Sequence, residues 1–169
     1  SRYGIHKIVL KERGTSTLGG QQIWYDEDVH RLNTDGRGVL LGEFQGDDKL
    51  IVRTAKNVYY TTNFDITQHF PDDTVHVSKY SPDTVYAVAY FDRSQNYYYL
   101  KRFTAEQGEK MQSFLDEDAD LVAVTSCPGA TLVLTFQGAQ ASRPAEEIDV
   151  DGFVGVKSHR AKGKRLTTY

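Results

Sequence analysis

The side chains best suited to binding chemistry in this sequence are the cations near its C-terminal end. After Asp151 the chain reads GFVGVKSHRAKGKRLTTY, with five basic residues and no acidic one. The formal net charge is −3, so removing these five charges leaves −8 on the residues up to Asp151. Solvation alone would mix both signs, so this segregation favours a polyanionic partner such as a nucleic acid. The candidate contacts are Lys157, Ser158, His159, Arg160, Lys162, Gly163, Lys164 and Arg165.

The chemistry of such a segment is the neutralisation of backbone phosphates. Each neutralised phosphate contributes roughly −0.9 to the slope of log K against log salt, so five engaged cations predict a slope of about −4 to −5. Glycines allow the backbone to approach a phosphate closely, and hydroxyls add hydrogen bonds. The alternative is that the charges only solvate an exposed strand edge, as lysines commonly do on β proteins.

Two further basic clusters are weaker candidates. Near the start of the chain, alternation along a strand would place Lys7 and Lys11 on one face. Lys101 and Arg102 form the second cluster, for which solvation of an edge is the favoured interpretation. The N-terminal candidates for contact with a polyanion are Arg2, Lys7, Lys11 and Arg13.

No motif predicts catalysis or metal binding. The run YDEDVH (25–30) combines three carboxylates with a histidine but lacks the glycine and ligand spacing of a calcium loop. The run DEDAD (116–120) is typical of a solvated turn, and no two histidines form an HxH or HExxH pair. Cys127, the only cysteine, lies beside Pro-Gly with no evident base, so we predict neither a disulfide nor a nucleophile. We expect Trp24 and Tyr97–Tyr99 to fill space between blades, with stacking on the bases of a single-stranded nucleic acid as the alternative.

The sequence predicts that these residues are carried on strands that belong to a repeat. Three stretches have the pattern of β-hairpins, with β-branched or aromatic runs flanking a polar turn. They are LIVRTAKNVYYTTNF (50–64), VYAVAYFDRSQNYYYLKRF (85–103) and LVAVTSCPGATLVLTF (121–136). A shorter apolar segment precedes each hairpin, and Val39, Val75 and Met111 in these segments lie 36 residues apart.

A fixed period made of strands indicates sheets repeated around an axis, as in propellers, because each unit buries its face against the next. A plain antiparallel sandwich with evenly spaced strands is the alternative. We therefore predict one all-β domain over residues 1–169, with little helix. Its predicted units are a partial blade at 1–36, repeats at about 37–72, 73–108 and 109–147, and a partial or final blade at 148–169.

Long phrases across nearly the whole chain resemble the C-terminal domain from the A subunit of DNA topoisomerase IV, in its Bacteroidetes type, which is homologous to the gyrase A C-terminal domain. They are STLGGQQIWYDEDVHRLNTDGRGVLLGEF, YYTTNFDITQHFPDD, YYYLKRF and RPAEEIDVDGFVGVKSHRAKGKRLTTY. The resemblance implies a β-pinwheel, a propeller-like disc of about four-stranded blades that exchange strands, with duplex DNA along the outer rim. With about three clear repeats, this chain would be an incomplete arc of that disc.

The resemblance also sets functional expectations. The parent would be an ATP-dependent type II topoisomerase that uses ATP and magnesium, while this piece would carry no catalytic residue and no cofactor. Its partners would be double-stranded DNA, the rest of its own polypeptide and the ATPase subunit, in the bacterial cytoplasm at the nucleoid and not at a membrane. The QRRGGKG box of DNA-wrapping gyrases is absent; AKGKR at 161–165 shares only its basic and glycine-rich character. The alternatives are a propeller-like scaffold for protein interactions and, less favoured, a hydrolase using the acidic runs.

Overall fold

The fold is nearly all β in a computed structural model that describes residues 20–166, apart from the side chain of Gln140. Fourteen strands are joined by short turns, a 3-10 turn at Gly138–Gln140 and one helical turn, α1, at Val150–Phe153. The strands are β1 Gln21–Asp26, β2 Arg31–Asn33, β3 Val39–Phe44, β4 Leu50–Thr54, β5 Val58–Thr62, β6 Thr74–Lys79, β7 Val85–Asp92, β8 Tyr97–Thr104, β9 Gln112–Ser113, β10 Ala119–Thr125, β11 Thr131–Leu134, β12 Glu146–Asp149, β13 Val156–Lys157 and β14 Lys164–Arg165.

These strands form four sheets in chain order. Sheet A has the order β2-β1-β3, sheet B the order β6-β4-β5-β9, and sheet D pairs β11 with β12. Sheet C has the order β10-β7-β8, and both β13 and β14 pair with the remaining edge of β8. All pairings are antiparallel except that of β13 with β8.

Sheets B and C each receive an edge strand from a later part of the chain. Strand β9 follows the β7–β8 hairpin of sheet C in sequence, yet it pairs with β5 of sheet B. In the same way β13 and β14 follow the strands of sheet D and pair with β8 of sheet C. Each hairpin would otherwise present a row of unpaired backbone groups, and the later strand covers it.

Three hydrophobic cores lie between successive sheets. The alternation of side chains along a strand explains this, because β4 directs Leu50 and Val52 into the core shared with sheet A and Ile51 into the core shared with sheet C. In sheet C, Val88 joins the core with sheet B, while Ala87 joins the core with sheet D. A sandwich would have two sheets around one core, so the described residues do not form the sandwich that was the alternative from sequence. The arrangement of these sheets as an incomplete arc of a β-pinwheel remains a prediction.

Two of the three predicted hairpins are present, and the third prediction is wrong. β4–β5 and β7–β8 are hairpins whose turns contain Asn57 and Asn96 in the left-handed conformation, which asparagine tolerates. In the third stretch β10 pairs with β7, and β11 pairs with β12. Its Pro-Gly turn carries the chain from sheet C to sheet D, because β10 finds a longer ladder along β7 than the short β11 could provide.

Candidate nucleic-acid interface

The basic tail, defined as residues 152–169, is built into sheet C as far as the structure describes it. Strand β13 runs parallel to β8 beside Arg102 and Phe103, and β14 runs antiparallel beside Leu100 and Tyr99. Leu166 then donates its backbone N–H to the carbonyl of Tyr98 at 2.9 Å, and its side chain is buried in the core with sheet D. The cations between these anchors are therefore displayed from an ordered sheet edge.

Gly163 allows the loop between β13 and β14 to return against β8. Its φ is +90°, a conformation that other residues rarely adopt. A Cβ atom at this position would lie 2.4 Å from the carbonyl oxygen of Leu100. The predicted role of Gly163 in close approach to phosphate is thus accompanied by a structural role.

Four tail cations are exposed and form no ion pair with any residue of the described range 20–166. Two of them lie over aromatic rings, with Lys164 Nζ 4.4 Å from the Phe153 centroid and Arg165 Cζ 4.1 Å from that of Tyr97. A cation over a ring keeps its charge and its outer face, so it can still meet a phosphate. The four are Lys157, Arg160, Lys164 and Arg165.

Lys162 is different, because its charge is already met within the protein. Its Nζ lies 2.6 Å from Oδ2 of Asp92, a residue that is only 5% exposed. Hydrogen bonds from Lys162 and Ser94 lower the pKa of Asp92 to about 2, and the same contact raises the pKa of Lys162. Tyr90 also donates its hydroxyl to the Lys162 carbonyl at 2.5 Å. Lys162 is therefore an anchor of the loop.

His159 lies inside the protein, so it is removed from the predicted set of direct contacts. It is 2% exposed and packs edge-on against Tyr59, with the ring centroids 5.5 Å apart. Its Nδ1 is 3.6 Å from Oε1 of Glu106, and neither ring nitrogen has a hydrogen-bond partner among the described residues. Burial chiefly lowers the pKa of His159, which favours the neutral ring. The neighbouring Ser158 is exposed and its hydroxyl accepts from the Arg160 N–H at 3.3 Å.

Lys101 and Arg102 hold the tail in place. Lys101 is 3% exposed and donates its ammonium to the carbonyls of Phe114 and His159, the latter at 2.6 Å; burial lowers its pKa to about 8. Arg102 donates to the carbonyls of Asp151 at 3.2 Å and Val154 at 3.0 Å. The interpretation of this pair as edge solvation is therefore wrong.

The other candidates from the sequence either make contacts typical of a structural role or lie outside the described residues. In the YDEDVH run the Tyr25 hydroxyl and His30 Nδ1 are 2.9 Å apart, and the Asp28 N–H donates to the Asp26 carboxylate at 3.0 Å. Within residues 20–166 no group of three or more histidine, cysteine, aspartate or glutamate side chains could hold a metal ion. In the same range no helix is long and apolar enough to cross a membrane. The N-terminal candidates Arg2, Lys7, Lys11 and Arg13 fall outside that range.

The architecture defines an all-β domain of successive sheets with a basic strand edge, and comparison with known proteins places it further. Residues 31–169 match the topoisomerase C-terminal domain of the Bacteroidota, and the chain belongs to this family. A curated relative, the A subunit of DNA topoisomerase 4 from Borreliella burgdorferi, is 27% identical over an alignment of 143 residues, and the match covers 79% of this chain and 22% of the relative. The chain thus spans about a fifth of that relative's length. A search of solved structures gives no match.

Proposed function

We propose that this chain is a non-catalytic, DNA-binding C-terminal domain of a type IIA topoisomerase, which binds duplex DNA along the edge formed by β13, β14 and their connecting loop. The observation that carries this proposal is the display, on one sheet edge of an otherwise acidic chain, of four cations that form no ion pair with any of the described residues. A duplex held there would be positioned as the segment that the rest of the enzyme transports.

The charge distribution supports a confined path for the duplex. The residues up to Asp151 carry a net charge of −8, so most of the surface repels a polyanion. Attraction is concentrated at the β13–β14 edge, where four of the five cations form no ion pair with a carboxylate of residues 20–166. The release of counterions at this edge therefore supplies most of the binding free energy. The protein reads little of the DNA sequence.

The rest of the proposal follows from membership of the family. The partners are double-stranded DNA, the remainder of the same polypeptide and the ATPase subunit, and the ATP and magnesium of the reaction belong to those other parts. The place of action is the bacterial nucleoid in the cytoplasm. An incomplete arc of a β-pinwheel, with strand exchange between neighbouring blades, completes this proposal, and the later strands that pair with the edges of sheets B and C support the exchange.

The direct test compares two fourfold variants by fluorescence anisotropy with a labelled duplex. The tail variant carries K157Q, R160Q, K164Q and R165Q, and the control variant carries R31Q, R37Q, K56Q and K110Q at exposed positions elsewhere. Both lose the same charge, so the tail variant is expected to bind at least about tenfold more weakly at moderate salt than the control. Equal affinities would contradict the proposal, and no duplex binding by the unmodified chain would favour a protein-interaction scaffold.

A further inference from the structure

The loop between β13 and β14 encloses a cleft in the middle of the basic edge. The two strands pair with neighbouring parts of β8, at Arg102 and Phe103 for β13 and at Leu100 and Tyr99 for β14. The chain segments leading into each strand leave a cleft of about 440 Å³ between them. This volume distinguishes the site from a row of cations on a flat surface.

The charges that line the cleft are of one sign. Its walls include Arg102, Lys157, Lys162 and Lys164, and no aspartate or glutamate is among the described residues that line it. Arg102 and Lys162 already have partners, since Arg102 lies 3.5 Å from Asp151 and Lys162 lies 2.6 Å from Asp92. Lys157 and Lys164 form no ion pair within the described chain. The cleft therefore offers two uncompensated ammonium groups.

The backbone of the cleft suits a compact oxyanion. Gly155 and Gly163 both line it, and a Cβ at Gly155 would meet no atom within 4 Å, so a ligand can approach the main chain closely there. Lysine binds phosphate as a point charge and needs no planar geometry. A DNA phosphodiester has two non-bridging oxygens that share one negative charge, so each oxygen can contact one of the two ammonium groups.

We propose that this cleft seats a single phosphate of the DNA backbone between Lys157 and Lys164, and that this phosphate fixes the register of the duplex on the edge. The inference rests on the proposed function and deepens it, because it assigns one phosphate to the cleft, while Arg160 and Arg165, which do not line the cleft, neutralise phosphates further along the duplex. Lys162 and Arg102, whose charges have partners within the protein, hold the walls of the cleft in place.

Filling the cleft without changing its charge tests the proposal. A Cβ at Gly155 would meet no atom within 4 Å, so Gly155→Val adds bulk to the cleft and keeps every cation. Gly108→Val is the matched control, since a Cβ at Gly108 also meets open space. At fixed salt, Gly155→Val is expected to weaken duplex binding at least about fivefold and Gly108→Val to leave it unchanged. Thermal unfolding of both variants checks that they are folded.

A second pair of variants tests the same site without added bulk. Lys157→Gln removes a cleft cation, and Arg160→Gln removes the same charge from the loop outside the cleft. Pyrophosphate, compared with sodium chloride of equal ionic strength, is the competitor for labelled duplex. Pyrophosphate should displace duplex from the unmodified chain and from Arg160→Gln, and should lose this extra effect in Lys157→Gln and Gly155→Val.

The outcomes separate this inference from the proposed function. If Gly155→Val and Gly108→Val bind duplex equally while the tail variant loses binding, the seated phosphate is wrong and the basic edge stands. If pyrophosphate binds the cleft but Gly155→Val leaves duplex affinity unchanged, the site takes free phosphate groups and the DNA assignment is overturned. If the tail variant itself binds as the unmodified chain does, the proposed function fails.

Discussion

The basic residues of the tail divide into two kinds according to what lies around each ammonium or guanidinium group. Lys157 lines the cleft and Arg160 lies outside it; both are exposed, and neither forms an ion pair with a described residue. Lys162, two residues further along, is bound to Asp92, and Lys101 beneath the loop donates to two backbone carbonyls. Net charge does not distinguish the two kinds, because every lysine or arginine adds the same single positive charge to it. The affinity for a polyanion depends on the first kind, and the position of the loop depends on the second.

The Asp92–Lys162 pair makes loop stability depend on pH. The pKa of Asp92 is about 2 in the folded protein and about 3.9 in an unfolded chain, so the pair stabilises the fold above about pH 4 and its contribution is lost as pH falls toward 2. Asp92→Asn should therefore lower the thermal midpoint at pH 7, and the difference from the unmodified chain should close between about pH 4 and 2. Circular dichroism melts across this range measure it; a difference that stays constant would contradict the assignment.

The sequence predicted that the tail is basic, but not which of its cations have partners within the protein. The run of cations without acidic neighbours is a local signal, whereas the partner of Lys162 is 70 residues away in the chain. His159 is buried by aromatic rings from sheets B and C, which no local pattern reveals. Lys101 did leave a signal, because it alternates with Tyr99 and Phe103, whose side chains face the same core.

At the scale of elements, the exchanged strands explain why the tail is ordered. The described part of the tail contains only two short strands, which could not persist alone, and they are held because β8 offers an unpaired edge. Runs of β-branched and aromatic residues predicted β4, β5, β7 and β8 well, because these strands contribute to the cores between sheets. The pairing of β10 and β11 was not predictable, because the sequence of a turn does not specify whether the following strand returns to the same sheet.

The return of the loop to β8 depends on one glycine, and a substitution there tests this. Gly163→Ala places a methyl group 2.4 Å from the Leu100 carbonyl oxygen in a left-handed conformation, so it should destabilise the domain by at least about 1 kcal/mol. Gly155→Ala in the same tail is the control, because its Cβ would meet open space. Urea unfolding compares the two variants. Equal midpoints would show that β14 does not require this close approach.

In the whole molecule, the succession of sheets buries the apolar residues in cores between them and leaves the charge of the surface residues free to vary. Cores between sheets A and B, B and C, and C and D supply the apolar burial, so no single sheet has to hold the domain together. The exposed residues are then free to be acidic over most of the chain and basic along one edge. The sequence predicted both the repetition of strands and the asymmetry of charge. Only the structure shows that the basic segment lies along the edge of β8.

The most direct measurement of the central claim is the salt dependence of duplex binding by the unmodified chain and by the tail variant with K157Q, R160Q, K164Q and R165Q. Four cations that neutralise phosphates contribute about −3.6 to the slope of log K against log salt. The unmodified chain should therefore show a slope steeper by about 3 to 4 than that of the tail variant. Parallel slopes for the two proteins would mean that the duplex lies elsewhere, and would contradict the claim that DNA is held along the β13–β14 edge.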